Sequence, residues 1–480
     1  MDTYPLIRKC LAVGIILLFA GAGIIPTTAQ NGEKPSLPTS SGHWLYVGGS
    51  GPGNYTGIQD AIDNASDGDT VFAYNGTYYG NIVINNAIYL IGENVNTTTI
   101  IDKRDDEDVM TIQHGNVTVM GFTIQSQATY DGINLVSGWT TIMGNNILSC
   151  VGMRVWSYNN SILYNNITGY GLPGSGIGCG IDEILSYNRI EHNRIYSPVN
   201  IGISIWRANN IITNNLIIAS WPSDLYDSNT IIANNTFQNT GLQLHNIGEN
   251  ILVNNTVNGK PLLYLEKISD TVFKSDAGQI ILMNCDNVTI TNQNLSHSPY
   301  SIQVFGSKNC HICNNTLSYC SGAGIEIYSS DTIMVMDNTL NSSALLIGRP
   351  DSGYNNNIIV SRNTFASDAL GGNSIGIQNT YNCTLSYNNL VNTIIGIAYY
   401  CRNCKIWHNN FINSSYIDIY VAFFSHTTFN GNYWERPRLF PKFNLGTLWK
   451  EGEDYPKLLL PWFFIDWHPA IKPYDNPGLS

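Results

Sequence analysis

Residues 234–257, NNTFQNTGLQLHNIGENILVNNTV, open and close on the same element, Asn234-Asn235-Thr236-Phe237 and Asn254-Asn255-Thr256-Val257. Between the two copies, Gly241-Leu242-Gln243-Leu244 alternates apolar and polar residues with period two, the pattern of a strand with one face turned inward. An amphipathic helix would instead place apolar residues three and four apart over ten or more positions. One copy of the element, one short strand and a return to the element describe a single winding of a coil built from strands.

The same signature runs outward in both directions. Asn pairs or their equivalents recur at Asn145-Asn146, Asn165-Asn166, Asn214-Asn215, Asn314-Asn315, Asp337-Asn338, Asn388-Asn389 and Asn409-Asn410. Most gaps are roughly 20 to 27 residues, a period that belongs to solenoids. Alternating runs precede them at Gly132-Ile133-Asn134-Leu135, Gly152-Met153-Arg154-Val155, Gly202-Ile203-Ser204-Ile205 and Gly324-Ile325-Glu326-Ile327. The pattern predicts an all-β, single-stranded right-handed parallel β-helix, each strand pairing with its equivalent one coil away at ~4.8 Å. Asn at the corners tolerates the left-handed backbone, and its amide can bond the Asn above and below.

The ends read as caps. Thr56-Gly57-Ile58-Gln59 has the form of a capping box, and Ile58, Ala61, Ile62 and Ala65 share one face of a short helix that covers the first coil. The repeat stops at Gly431-Asn432-Tyr433-Trp434, and a Pro- and aromatic-rich tail at 435–480 is expected as an irregular C-terminal cap. The domain plan is therefore a signal peptide at 1–29, a linker at 30–43, the β-helix at 44–434 and the tail.

Composition fixes compartment and partner class. Arg8 and Lys9 precede an apolar run, and Thr27-Thr28-Ala29 forms a small-residue exit, the layout of a secretory leader. The expected location is secreted, periplasmic or cell-surface. No later stretch is apolar enough to span a bilayer, since 458–467 is broken by Pro461 and Asp466. Acceptor triplets at Asn54, Asn75, Asn116, Asn166 and Asn413 permit glycosylation of an exported chain. A formal charge of -12 repels phosphate backbones and excludes nucleic acid as a partner. Oligomeric state is not legible.

Ile58-Gln59-Asp60-Ala61-Ile62, Gly68-Asp69-Thr70-Val71, Gly76-Thr77-Tyr78-Tyr79, Ile88-Tyr89-Leu90-Ile91-Gly92-Glu93 and Thr99-Ile100-Ile101-Asp102 together resemble the opening of secreted NosD-like proteins. Asn258-Gly259-Lys260-Pro261-Leu262 through Gly278-Gln279-Ile280-Ile281-Leu282-Met283-Asn284-Cys285 resembles a linker of the same group. The resemblance implies a parallel β-helix of the pectin-lyase-like fold, among carbohydrate-binding and sugar-hydrolase domains, over about 44–434. It is specific for fold and not for activity, because that fold hosts lyases, hydrolases, esterases and non-catalytic binders. The family name implies periplasmic copper binding.

Three groups of residues are candidates for chemistry. Cys310-His311-Ile312-Cys313 and Cys401-Arg402-Asn403-Cys404 have metal-ligand spacing. Register argues against a metal: Cys310, Cys383 and Cys404 fall in the inward slot that Val288 and Ile333 fill elsewhere, so they read as core or as a Cys383–Cys404 disulfide. The fold requires no cofactor, and residue spacing supports neither Ca nor Cu. The second group, Asp182, Glu183, Arg189, Glu191, His192 and Arg194, is either the reacting centre of a polysaccharide lyase or glycoside hydrolase or a mutually neutralising surface network. Glu326 and Asp418 share a column several coils apart and cannot cooperate as a carboxylate pair.

The third group is an outward stripe. One column holds Asn134, Arg154, Asp182, Ser204, Gln243, Gln303, Glu326, Gln378 and Asp418; the next holds Trp156, Trp206, His245, Phe305, Tyr328, Tyr400 and Tyr420. Aromatic rings beside amides and carboxylates suit a polysaccharide, whose rings stack and whose hydroxyls bond. Arg154, Trp156, Asp182, Trp206, Glu326 and Tyr328 are the candidate glycan-binding residues. The competing reading has the aromatics packed beneath a loop such as 172–180 or 348–357.

Overall fold

The computed structural model describes residues 42–102, 107–126, 130–171, 180–245, 248–349, 353–367, 372–397, 401–414, 417–422, 427–449 and 459–475. The leader at 1–29 and nearly all of the linker lie outside them. The described chain is an all-β right-handed parallel solenoid of about 16 turns. Alternation explains each coil. In one, the strands Asp131–Leu135, Thr141–Met143 and Asn146–Ser149 form three faces, and Ile133, Ile142 and Ile147 point inward, fully buried. They stack on Met153, Ile162 and Ile167 of the next coil through parallel pairing.

The corner asparagines divide two jobs that the sequence pattern merges into one. The residue that turns the chain has positive φ: Asn214 (57°), Asn234 (57°), Asn254 (54°) and Asn314 (57°), but Tyr164, His192 and Tyr387 in other coils. The residue after it is buried and forms the ladder. Asn235 donates from its backbone N and its Nδ2 to Asn255 Oδ1 at 3.0 and 3.1 Å, and its Nδ2 also reaches Ile212 O at 2.8 Å. The ladder runs Asn145, Asn165, Asn193, Asn215, Asn235, Asn255 and resumes at Asn315, Asn338, Asn363, Asn388, Asn409, Asn432. In Asn145-Asn146 and Asn388-Asn389 the first of the pair is therefore the ladder residue, and in Asn214-Asn215 the second. A further ladder through Asn160, Asn188 and Asn210 occupies another corner of the early coils.

Asn258 and Gly259, both with positive φ, make a two-residue hairpin that reverses the chain. Thr256 and Val257 pair antiparallel with Pro261 and Lys260. This hairpin divides the solenoid into a first segment, 44–257, and a second, 260–434. The second does not extend the first by one more pairing. On the strand Gln279–Met283, Ile280 and Leu282 enter the second core, while Ile281 and Met283 enter the first. Phe305 and Tyr328 also join the first core. The outer face of the second segment thus seals the open end of the first. The last edge strand there, Leu242–Leu244, is satisfied by side chains: Leu242 N donates to Gln279 Oε1 at 3.0 Å, Gln303 Nε2 donates to Leu242 O at 3.0 Å, and Leu244 N donates to Gln303 Oε1 at 3.4 Å.

The free ends are also covered. The helix Ile58–Asp63 buries Ile58, Ala61 and Ile62, but Gly57 is its N-cap, with no side-chain capping bond. The expected capping box is not formed, because Gln59 is spent elsewhere: its amide bonds both Val83 N (2.8 Å) and Val83 O (3.1 Å) on the first coil's edge. At the other end the tail is a regular antiparallel hairpin, Lys442–Trp449 with Leu459–Asp466. Its buried Asp466 terminates the asparagine ladder, accepting from Asn432 N at 2.9 Å and Asn432 Nδ2 at 3.0 Å.

Candidate functional site

On the first segment the register builds one polar column: Asn134 pairs with Arg154, Arg154 with Asp182, Ser204 with Asp224, and Asp224 with Gln243. Arg154 is held by Asp131 at 3.2 Å. Two residues further along these strands, Trp156 and Trp206 are 49% and 45% exposed, so they are not packed under a loop. Trp206 stacks on Tyr226 (centroids 4.9 Å) and Tyr226 on His245 (4.0 Å). The indole is fixed by Trp206 Nε1 donating to Ser204 Oγ at 2.8 Å. Asp224 and Tyr226 escape the sequence pattern because their strand, Ser223–Leu225, lacks the leading Gly of its neighbours.

At the hairpin junction the stripe changes character. Glu326, Tyr328 and Phe305, expected outward beside the tryptophans, are 0%, 3% and 2% exposed, because their face is pressed onto the first segment. Glu326 Oε1 accepts from Arg349 Nη2 at 2.7 Å and from Tyr328 Oη. Arg349 also contacts Tyr328 Oη and His245 Nδ1, the latter at 2.8 Å, and His245 Nε2 meets Asp224 Oδ1 at 3.0 Å. The Gln243 amide, oriented to satisfy both sides, donates to Asp224 Oδ1 at 3.2 Å and accepts from Tyr300 Oη at 3.0 Å. Burial pushes the Glu326 carboxyl above its ordinary value against the pull of Arg349. Burial and the Glu326 charge push Tyr300 to about 12. The network joins the end of the exposed stripe to a cavity of about 240 Å³. Arg349 could not be found by column counting, since it lies in a turn of the second segment and meets the first only through the junction. Gln378 is displaced from its expected column: the register Ile347↔Ile377 sets it beside Gly348.

The second candidate group does not converge. Asp182 lies on the stripe's face; Arg189 and Glu191 pair at 2.7 Å on the next face; Arg194 lies on the third, over Tyr196 at 5.7 Å. His192 turns a corner with φ 56° and stacks on Tyr164 at 4.8 Å. Three faces of a prism cannot present one reacting centre. The side chains of Glu183, Asp418 and Tyr420, and all of Tyr400, lie outside the described residues.

Cys310, Cys383 and Cys404 are fully buried, in the inward slot expected of them. The described cysteines are free thiols, so the Cys383–Cys404 disulfide is absent. Burial raises the Cys310 thiol to about 11. Among the described residues, no group of three or more His, Cys, Asp or Glu side chains is placed to hold a metal ion. No described helix is long and apolar enough to cross a membrane.

Fold and site together define a two-segment parallel β-solenoid with exposed aromatic rings at Trp156, Trp206 and Tyr226 beside a largely buried polar column. Residues 250–439, which include the whole of the second segment, match the model of the NosD family, described as a periplasmic copper-binding protein. Cu(I) needs clustered thiolates; the nearest approach in this segment is the buried trio Cys383, Cys404 and Cys401, in which Cys404 is hydrogen-bonded to the other two, and it is not placed to hold a metal ion. No curated protein matches the chain. Among solved structures, the catalytic domain of a GH87 alpha-1,3-glucanase in complex with tetrasaccharides is 12% identical, with a TM-score of 0.34, covering 75% of this chain and 71% of its own. The tailspike protein of E. coli bacteriophage HK620 with pentasaccharide is 12% identical, TM-score 0.32, covering 80% and 76%. The PL6 family alginate lyase AlyGC is 11% identical, TM-score 0.31, covering 78% and 88%. Likeness this distant carries no functional information.

Proposed function

We propose that this chain is an exported protein that binds extracellular or cell-surface polysaccharide along the outward face of its first segment. The observation that carries the reading is the Trp206–Tyr226–His245 stack, with Trp206 and Tyr226 exposed, on the same face as Trp156 and the half-buried polar pair Arg154 and Asp182. A stack of rings offers edges and one free indole face to the apolar side of a sugar, while the column supplies donors and acceptors for its hydroxyls. The groups advance by one coil, ~4.8 Å, which suits a chain of repeating units. Trp156 adds a second exposed indole two coils before Trp206. The test is a glycan array probed with the full chain and with the Trp156→Ala plus Trp206→Ala variant. Both indoles are exposed, so the variant folds, and its signal falls about tenfold or more for every glycan that binds the wild type, equivalent to about 1.4 kcal/mol. An unchanged binding profile removes this face from the function.

A further inference from the structure

The cavity at the junction contains polar atoms that the protein itself leaves unmet. It is lined by Tyr300, Glu326, Leu346, Arg349, Gly376 and Gln378, among others. Glu326 has a side chain with no exposure, and while its Oε1 is bonded to Arg349 and Tyr328, its Oε2 has no hydrogen-bond partner. Gln378, also in the lining, has an Oε1 that is likewise buried without one. A buried acceptor left unmet loses the full hydration it had in the unfolded chain, so two facing one cavity are a site awaiting donors. Space is provided by Gly376, which follows Leu346 in the register of the sheet and puts no side chain into the volume. The cavity, about 240 Å³, is smaller than the ~300–1,000 Å³ of drug-sized sites and several times the ~30 Å³ of one water. It fits one sugar ring.

We infer that this cavity is a terminal subsite, which takes the end unit of a neutral glycan through two hydroxyls donating to Glu326 Oε2 and Gln378 Oε1. The inference rests on the proposed glycan-binding face, whose aromatic stack ends on His245, in direct contact with Arg349. The unmet groups are both acceptors, and Arg349 is already engaged by Glu326, so a neutral sugar is favoured. A uronate would set its carboxylate against that of Glu326, and Arg349, the cation among the described lining residues, is already paired with Glu326.

The experiment is calorimetric titration of the full chain with glucose, galactose, mannose and N-acetylglucosamine, with glucuronate and galacturonate, and with neutral oligosaccharides that score on the array. Gln378→Met removes an acceptor that bonds nothing in the protein, so its melting temperature stays at or above that of the wild type. Gly376→Val fills the cavity from its floor. At least one neutral monosaccharide binds the wild type, more tightly than either uronate, and both variants weaken it about tenfold or more. Trp156→Ala plus Trp206→Ala leaves that monosaccharide within about twofold, while weakening the longer oligosaccharides. Oligosaccharide binding that depends on the tryptophans but is untouched by Gln378→Met overturns the subsite and spares the stripe. Tighter binding of uronates, or no monosaccharide binding, also overturns it. Monosaccharide binding that depends on Gln378, with no oligosaccharide affected by the tryptophan change, leaves the subsite standing and overturns the stripe.

Discussion

The two solenoid segments obey one repeat code and yet present opposite surfaces. In the first, the strands from Val151–Val155 to Ser223–Leu225 are followed by aromatic rings that reach solvent at Trp156, Trp206 and Tyr226, although Ser204 and Asp224 within them are buried. In the second, the equivalent strands Gln279–Met283, Tyr300–Phe305 and Ala323–Tyr328 are buried on both sides. Their corners differ as well. The early coils carry asparagine ladders at two corners, whereas the second segment keeps one asparagine ladder and uses hydroxyls at another: Cys285 N donates to Ser307 Oγ at 3.0 Å, and Ser307 N to Ser330 Oγ at 3.2 Å. The lesson is that the repeat dictates which residues face in or out of a coil, while a two-residue hairpin dictates whether "out" means solvent.

The largest effect should come from breaking the stronger ladder. Asn235→Ala strands the backbone N–H of Asn215 and the carbonyl of Ile212 in the dry interior and is expected to lower stability by about 3–5 kcal/mol. Ser307→Ala strands chiefly the N–H of Cys285 and should cost about 1–2 kcal/mol. Urea unfolding of both variants measures the contrast, and equal losses would mean that the two kinds of corner are equivalent.

A smaller effect separates the buried stripe from the exposed one. The native Glu326 carboxyl holds its proton to higher pH than the 4.5 of the unfolded chain, because burial outweighs Arg349. Between those two values the native state binds more protons than the unfolded state, so stability falls as pH rises through the window. The unfolding free energy of the wild type should therefore fall relative to that of Glu326→Gln as pH is raised across it. A wild type that gains on Glu326→Gln with rising pH would show that the Arg349 pairing governs instead.

The smallest effect is a thiol count. Of the described cysteines only Cys313 is not buried, so Ellman's reagent should react slowly with the native chain and fully in denaturant. A deficit of two thiols in denaturant would point to the Cys383–Cys404 bridge.

The sequence was most legible where a physical demand repeats. Asn at a corner and Ile at an inward slot return once per coil, so the solenoid and the burial of Cys310, Cys383 and Cys404 could be read directly. The separate ladder through Asn160, Asn188 and Asn210 was not, because its asparagines return over only three coils. Relations that cross the hairpin leave no periodic trace. Asn258-Gly259 has the composition of a tight turn, but nothing in its spacing says that Glu326 will be folded onto the end of the first segment, or that Arg349 will touch His245. The network of Asp224, Gln243, His245, Glu326 and Arg349 is a product of that one reversal.

The amide ladder has a direction. Within each of its two runs every rung donates to the oxygen of the next, and the last receiver of the second run is Asp466, whose side chain carries two acceptor oxygens. A carboxylate can receive a coil but cannot pass the pattern on. The winding therefore has a chemical full stop: another copy arriving at this end finds no amide to continue from, and a protein built on the geometry of a fibre is kept from becoming one.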